Sequence, residues 1–303
     1  MTAADALPIL AATLRVAAPL LLAALAGLFS ERAGIVDVGL EGKMLVAAFA
    51  ASSAAAITGH ALPGLLAAIA AACALGLVHA YACITLRGSQ VVSGMAINII
   101  ASGLTATLAL IWFHLGGQTP PLPPAARFTP LPFLANQTAL TLLAYALVPL
   151  TAFTLQHTRF GLRLRACGEH PEAVDAAGLS VTRLRYSGVL IASILCGVAG
   201  TTIAIAQGAG FSRDMIAGRG YIALAALILG GWRPVPIMFA CLLFGGLDAI
   251  AIRLQGVPLP GIGPVPVEAI QALPYLLTII LLAGFVGRAT PPPASGIPYS
   301  KER

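Results

Sequence analysis

An all-α bundle of membrane-crossing helices is the fold class this sequence predicts. Three observations predict it. Only 9% of the 303 residues are charged and 58% are hydrophobic, with a mean hydropathy of +0.92, whereas a soluble domain carries roughly 25% charge. Apolar stretches of membrane-crossing length recur from one end to the other. Those stretches lack the alternation of barrel strands, and a helix satisfies its own backbone groups in lipid. So much apolar surface cannot face water, which excludes a soluble enzyme, a disordered chain and a nucleic-acid binder.

Nine stretches can be cut, with eight to ten spans compatible: about 8–29, 35–58, 62–85, 91–113, 138–156, 184–207, 218–232, 234–253 and 267–286. The first carries Arg15, whose charge costs roughly 2.5–3.5 kcal/mol at the bilayer centre. Arg15 therefore snorkels, or residues 5–15 lie at the interface. The second holds Asp37 and Glu41 among glycines, which predicts a start that is broken or buried in the bundle. Small residues, as in the run Ala67 to Ala74, let helices approach closely. The loop 114–137 carries Pro120, Pro121, Pro123, Pro124, Pro130 and Pro132 and reads as stiff and extended. Residues 1–289 form one transmembrane domain. The tail 290–303, with Pro291, Pro292 and Pro293, reads as disordered.

Charge supplies the orientation. The segment 157–183 and its border hold Arg159, Arg163, Arg165, Arg183 and Arg185. With that segment cytoplasmic, alternation puts twelve of the 17 basic residues inside and four outside, as the positive-inside rule requires. Nine spans then place the N-terminus outside and the C-terminus inside. The first residues offer Asp5 and no basic run, unlike a cleaved signal peptide. The five cysteines show no CxxC spacing, and four lie in apolar stretches as small hydrophobes.

Four segments concentrate polar residues. In Phe160–Leu179, Pro171 suits a first helical turn with Glu172 and Asp175 near its positive end, and Gly178 can end it. So short a helix is marginal alone. It is an amphipathic connector on the membrane surface or a docking helix for a cytoplasmic partner. Glu31–Lys43 sets three acids and an arginine beside an apolar core; it is a capped loop, or a bend that lines a path. Gln90, Ser93 and Asn98 begin a span, and Asn98 faces a translocation cavity or bonds to another helix. Gly208–Gly220 is a Gly-rich charged turn, re-entrant or plain.

Enzyme signals are weak. Ser93 lacks the tight-turn glycine pattern of a nucleophile, and His79 with Cys83 at i,i+4 stands alone. No catalytic residue and no metal ligand is assigned. No Gly-rich Lys-Ser/Thr phosphate loop exists in the sequence, so ATP is not hydrolysed here by that route.

The same segments carry a resemblance. Ser30–Gly42, Gln90–Asn98, Phe160–Ala166 through Gly178, and Ala217–Ile228 occur in the order found in permease subunits of bacterial ABC importers of the branched-chain amino acid, ribose and simple-sugar superfamily. The chain most resembles the purine and general nucleoside branch, over about residues 10 to 287. The resemblance implies a type II importer-like permease in the bacterial inner membrane. It also implies Asp37, Glu41, Gln90, Ser93 and Asn98 along a nucleoside path, and Arg163, Arg165, Glu169, Glu172, Asp175 and Gly178 in coupling to an ATPase. The implied partners are a second, longer permease chain (or a second copy), an ABC ATPase that binds ATP and magnesium, and an extracytoplasmic solute-binding protein. This chain would hold no cofactor of its own. Asp37 stands where Asn is common in such relatives and Lys43 where an uncharged residue is usual; six residues apart around a bend, the two can pair. His170 stands where Asn is frequent. Ribose or another simple sugar is an alternative solute. An ion-coupled secondary transporter is the alternative from another class, with Asp248 as its ionisable residue. An intramembrane hydrolase using Ser93, His79 and Asp248 is a third.

Overall fold

The computed structural model describes residues 3–131, 136–254, 258–259, 263–264, 272, 276, 279–280 and 290–301. Ten helices are described: α1 Ala3–Arg32, α2 Leu40–Thr58, α3 Ala61–Ala80, α4 Gln90–Phe113, α5 Ala139–His157, α6 Arg159–Glu169, α7 Pro171–Ala176, α8 Val181–Thr201, α9 Arg219–Leu229 and α10 Pro234–Leu254. Seven segments among the described residues are long and apolar enough to cross a membrane. They match the expected stretches except 218–232 and 267–286. The latter lies almost wholly outside the described residues.

The stretch 218–232 yields only the 11 residues of α9. At 1.5 Å per residue that is about 16 Å, half a bilayer core of roughly 30 Å. Gly208–Gly218 is irregular, and Gly218, which caps the start of α9, is in a left-handed conformation. Apolar composition therefore concealed a half-helix preceded by non-helical backbone. Such backbone is tolerated at membrane depth where protein or a cavity surrounds it.

Helices α1, α2 and α8 form the inner layer; the apolar window of α8 is the most buried of the seven. Glycines set the spacing. A Cβ at Gly197 of α8 would stand 2.7 Å from the Ile69 Cα of α3, and one at Gly245 of α10 would stand 2.6 Å from the Ala17 Cβ of α1. The outer faces of α3, α4, α5 and α10 instead expose Leu66, Ile111, Phe153 and Phe239. In water that surface would be a liability, and in lipid it is the expected exterior.

Helix α1 runs unbroken through Arg15 to Arg32. Arg15 precedes Arg32 by 17 residues, about 26 Å along the axis, which sets it near the opposite end of the span. The proline-rich loop ties itself to the segment just beyond the C-terminal end of α8. Leu122 and Phe128 donate backbone N–H to Ala209 and Ile205 at 2.8 and 3.0 Å, and the Phe211 N–H reaches Thr119 Oγ1 at 2.9 Å.

The tail, read from its composition as disordered, meets the Arg-rich end through two backbone groups. Ala294 donates its N–H to the Gly168 carbonyl at 2.9 Å, and Arg185 donates Nη1 to the Ile297 carbonyl at 3.1 Å.

Candidate translocation site

Buried polar groups gather at the corner between α1 and α2. Its backbone is not helical over residues 35–37, so its N–H and C=O groups need partners from elsewhere. The start of α4 supplies them. Gln90 Oε1 accepts from the Val36 N–H at 2.6 Å. Eight residues on, about 12 Å deeper along the helix, Asn98 Oδ1 accepts from the Gly42 N–H at 2.8 Å. Asn98 Nδ2 donates to the Val38 carbonyl at 3.0 Å and to the Tyr221 hydroxyl at 2.8 Å. One amide thus joins α2, the bend and α9, and Gly42 admits it: a Cβ there would lie 2.9 Å from Asn98.

Glu41 meets the N-terminus of α9. Its Oε1 accepts from the Gly218 N–H at 2.8 Å and its Oε2 from the Gly220 N–H at 2.6 Å. A helix N-terminus presents unsatisfied donors and a partial positive charge, so a carboxylate fits it. Because α9 is a half-helix, these donors lie inside the bundle. This is the arrangement by which broken helices build sites near the membrane midplane.

A cavity of about 600 Å³ sits at this junction, lined among others by Glu41, Leu45, Asn98, Ser102, Asp214 and Tyr221. That volume falls in the range of small-molecule sites. The lining includes Glu41 and Asp214 and no Lys or Arg; Asp214 is paired with Arg213 outside the lining at 3.5 Å, so the wall suits a neutral polar solute better than an anion.

Beside the cavity is a second, closed cluster. Lys43 Nζ donates to Asp37 Oδ2 at 2.5 Å, with both side chains fully shielded. His79 Nδ1 lies 3.0 Å from Ser93 Oγ, its Nε2 3.3 Å from the Val36 carbonyl and 3.8 Å from Asp37 Oδ1. Ser93, His79 and an aspartate therefore do come together, but the aspartate is Asp37, not Asp248. Asp37 is engaged first by Lys43, its distance to the imidazole exceeds hydrogen-bond range, and none of these groups lines the cavity. The cluster is a buried polar network that holds the bend. Asp248 lies within electrostatic reach of Arg219 instead.

All five path residues expected from sequence converge on this corner. Glu41 and Asn98 line the cavity; Asp37 and Gln90 are buried behind it, and Ser93 is partly buried against His79. Tyr221, Ser102 and Asp214 were not singled out from sequence. The Tyr221 hydroxyl could have been flagged by its place in Ala217–Ile228, but its pairing with Asn98 spans 123 residues.

At the Arg-rich end, α6 and α7 pack on the bundle. Gly178, at φ +76°, ends the α7 turn, and Val174 is buried with Cys167 and Val181. Burial raises the Cys167 thiol above its ordinary range, with Arg185 working against that rise. The chain itself thus supplies the surface that the short α7 helix needs. Arg163, Glu169 and Glu172 remain exposed, and Arg165 and Asp175 are partly so. The same end receives the turn between α9 and α10. Trp232 sits there at φ +54°, costly for a bulky residue. It is held by its indole N–H on Glu31 Oε2 at 2.6 Å and by Arg32 Nη2 on its carbonyl at 2.8 Å.

A helical bundle with a broken crossing, a polar cavity at the break and short helices at one end is the construction of a membrane permease. The comparisons agree. The family described as branched-chain amino acid transport system / permease component matches residues 9–282, and the chain belongs to that family. It is 40% identical to the guanosine ABC transporter permease protein NupQ of Bacillus subtilis, with 97% of this chain and 96% of that one covered. It is 37% identical to the nucleoside ABC transporter permease protein NupC of Lactococcus lactis, with 94% of each covered. A solved metal-chelate type ABC transporter in an inward-facing conformation shares the fold at a TM-score of 0.51 and 16% identity, covering 91% of this chain and 85% of that one.

Proposed function

We propose that this chain is one permease subunit of an ABC importer that carries nucleosides across the bacterial inner membrane. The observation that carries the reading is the cavity at the α2–α4–α9 junction, with Glu41, Asn98 and Tyr221 in its wall and no basic side chain in its lining. A nucleoside is neutral, has hydroxyls and base edges to hydrogen-bond, and has an apolar face for Leu45 and Ile99. A nucleotide would bring phosphate charge against the Glu41 carboxylate with no basic side chain in the lining to meet it. The relatives NupQ and NupC, matched over nearly their whole lengths, support the same solute class.

In this reading the Arg-rich end is cytoplasmic, and Arg163, Arg165, Glu169, Glu172, Asp175 and Gly178 belong to the face on which a separate ATPase docks. That ATPase binds ATP and magnesium; this chain supplies no phosphate loop. A second permease chain completes the path, and a solute-binding protein delivers cargo on the other side. ATP-driven change at the ATPase shifts the bundle only through contacts that differ between its two states.

The test is uptake of a labelled nucleoside in cells with and without the gene, with excess unlabelled nucleosides, nucleotides, ribose and glucose as competitors. Uptake should require the gene and be competed by nucleosides but not nucleotides. Competition by a sugar and not by nucleosides would overturn the solute. Ion-driven accumulation by the purified chain alone in liposomes would overturn the class.

A further inference from the structure

The tail forms a strap across the Arg-rich end. Its first anchor is the Ala294 N–H on the Gly168 carbonyl at the end of α6. The second is the Ile297 carbonyl, held by Arg185, a side chain almost wholly buried in α8. The third is Tyr299, which packs on the apolar cluster of Cys167, Val174 and Val181. The fourth is Lys301 Nζ, 3.2 Å from Asp175 Oδ1 on α7. Four anchors spread over eight residues fix the path of the strap beside α7.

Between strap and helix lies a cleft of about 480 Å³. One wall is α7 and the residues before it, with Glu169, Glu172 and Asp175. The other is the strap, with Pro293, Ile297 and Pro298. Ile297 turns its side chain outward at 57% exposure, although its carbonyl is held inward. Glu172 has no ion-pair partner among the described residues, and Arg32 stands only at 3.9 Å from Glu169. Arg185 also reaches the floor of the cleft, but it is buried and held on the Ile297 carbonyl, and Asp175 is taken by Lys301; the exposed charge at the mouth is that of Glu169 and Glu172, opposite an apolar wall.

We infer that the ATPase-docking face is composite, with the strap as one wall of a cleft that receives a basic, apolar-flanked segment of the ATPase. The inference rests on the docking role proposed for α7. Charge complementarity selects the occupant: a lysine or arginine faces Glu169 and Glu172 while its neighbours cover Ile297 and Pro298. The strap also passes close to the entry of the transport corner: a Cβ at Gly34 would lie 3.2 Å from the Ala294 carbonyl.

The experiment uses the assembled transporter in native membranes, with the ATPase co-expressed and its retention on this chain measured after salt washes. Ile297→Asp alters only an exposed side chain and keeps the backbone bond to Arg185; truncation after Ala289 removes the strap entirely. Each should weaken ATPase retention about tenfold, the scale of losing one interface anchor, with the amount of chain in the membrane unchanged for Ile297→Asp. Wild-type retention in Ile297→Asp and in the truncation, with loss in Glu172→Lys, would overturn the composite face and leave α7 docking intact. Wild-type retention in Glu172→Lys as well would overturn the docking reading itself.

Discussion

Lys43 Nζ and Asp37 Oδ2 form a 2.5 Å ion pair in which neither side chain reaches solvent. The pair closes the corner between α1 and α2 just behind the cavity wall. Neither charge is stable there without the other, because desolvation of an isolated ion at such a site costs several kcal/mol. The two charged residues make a single compensating unit.

Breaking the pair from one side should therefore be worse than removing it whole. Asp37→Asn and Lys43→Met are each expected to cost about 3–5 kcal/mol, and the double variant far less than their sum. Thermal inactivation of the purified permease in detergent, run as a double-mutant cycle, measures this. Additive losses would show that the two charges do not depend on each other.

Glu41 is a different case, since its partners are backbone donors of α9. In Glu41→Gln one oxygen becomes an NH2 group facing either the Gly218 or the Gly220 N–H. Two donors then oppose each other, at a cost of about 1–3 kcal/mol. The half-helix should loosen at its N-terminus, and nucleoside uptake at matched membrane abundance should fall about tenfold or more. Wild-type uptake would mean that α9 does not need this carboxylate.

The spans and the break at Asp37 were legible because each is local: an apolar run, a glycine cluster, an acid at membrane depth. The Asp37–Lys43 pair was legible too, lying six residues apart. The grip of Glu41 on Gly218 and Gly220 joins residues about 180 positions apart, and no single-sequence pattern carries such pairings. The half-helix was hidden because 218–232 has the composition of a span, and only the irregular backbone before it reveals otherwise. The strap was hidden for the opposite reason. Proline in the tail signals disorder locally, while Gly168 and Arg185, which hold it, lie more than a hundred residues earlier.

Trp232 should prove more important than its place in a turn suggests. Trp232→Phe keeps an aromatic ring, smaller than the indole, and removes the N–H that satisfies the buried Glu31 carboxylate. Leaving that acceptor unpaired costs about 1–3 kcal/mol. Glu31→Gln in the same background removes the charge and should recover part of the loss. Thermal midpoints of the two variants check this, and equal midpoints for wild type and Trp232→Phe would show that the indole bond contributes nothing.

Two glycines separate packing from tolerance. At Gly197 a Cβ would press on the Ile69 backbone, with the nearest atom at 2.7 Å, whereas at Gly103 nothing lies within 4 Å. Both sit in helices that cross the apolar layer, so a generic helix-propensity effect would favour alanine equally at the two sites, by about 1 kcal/mol. Packing predicts opposite signs instead. Gly197→Ala forces α3 and α8 apart against a backbone that cannot swing aside, and overpacking of this kind costs typically about 1–3 kcal/mol. Gly103→Ala should be neutral or slightly stabilising. Thermal inactivation of each variant in detergent decides between the two, and a stabilised Gly197→Ala would mean that α3 and α8 are not in the close contact that the glycine permits.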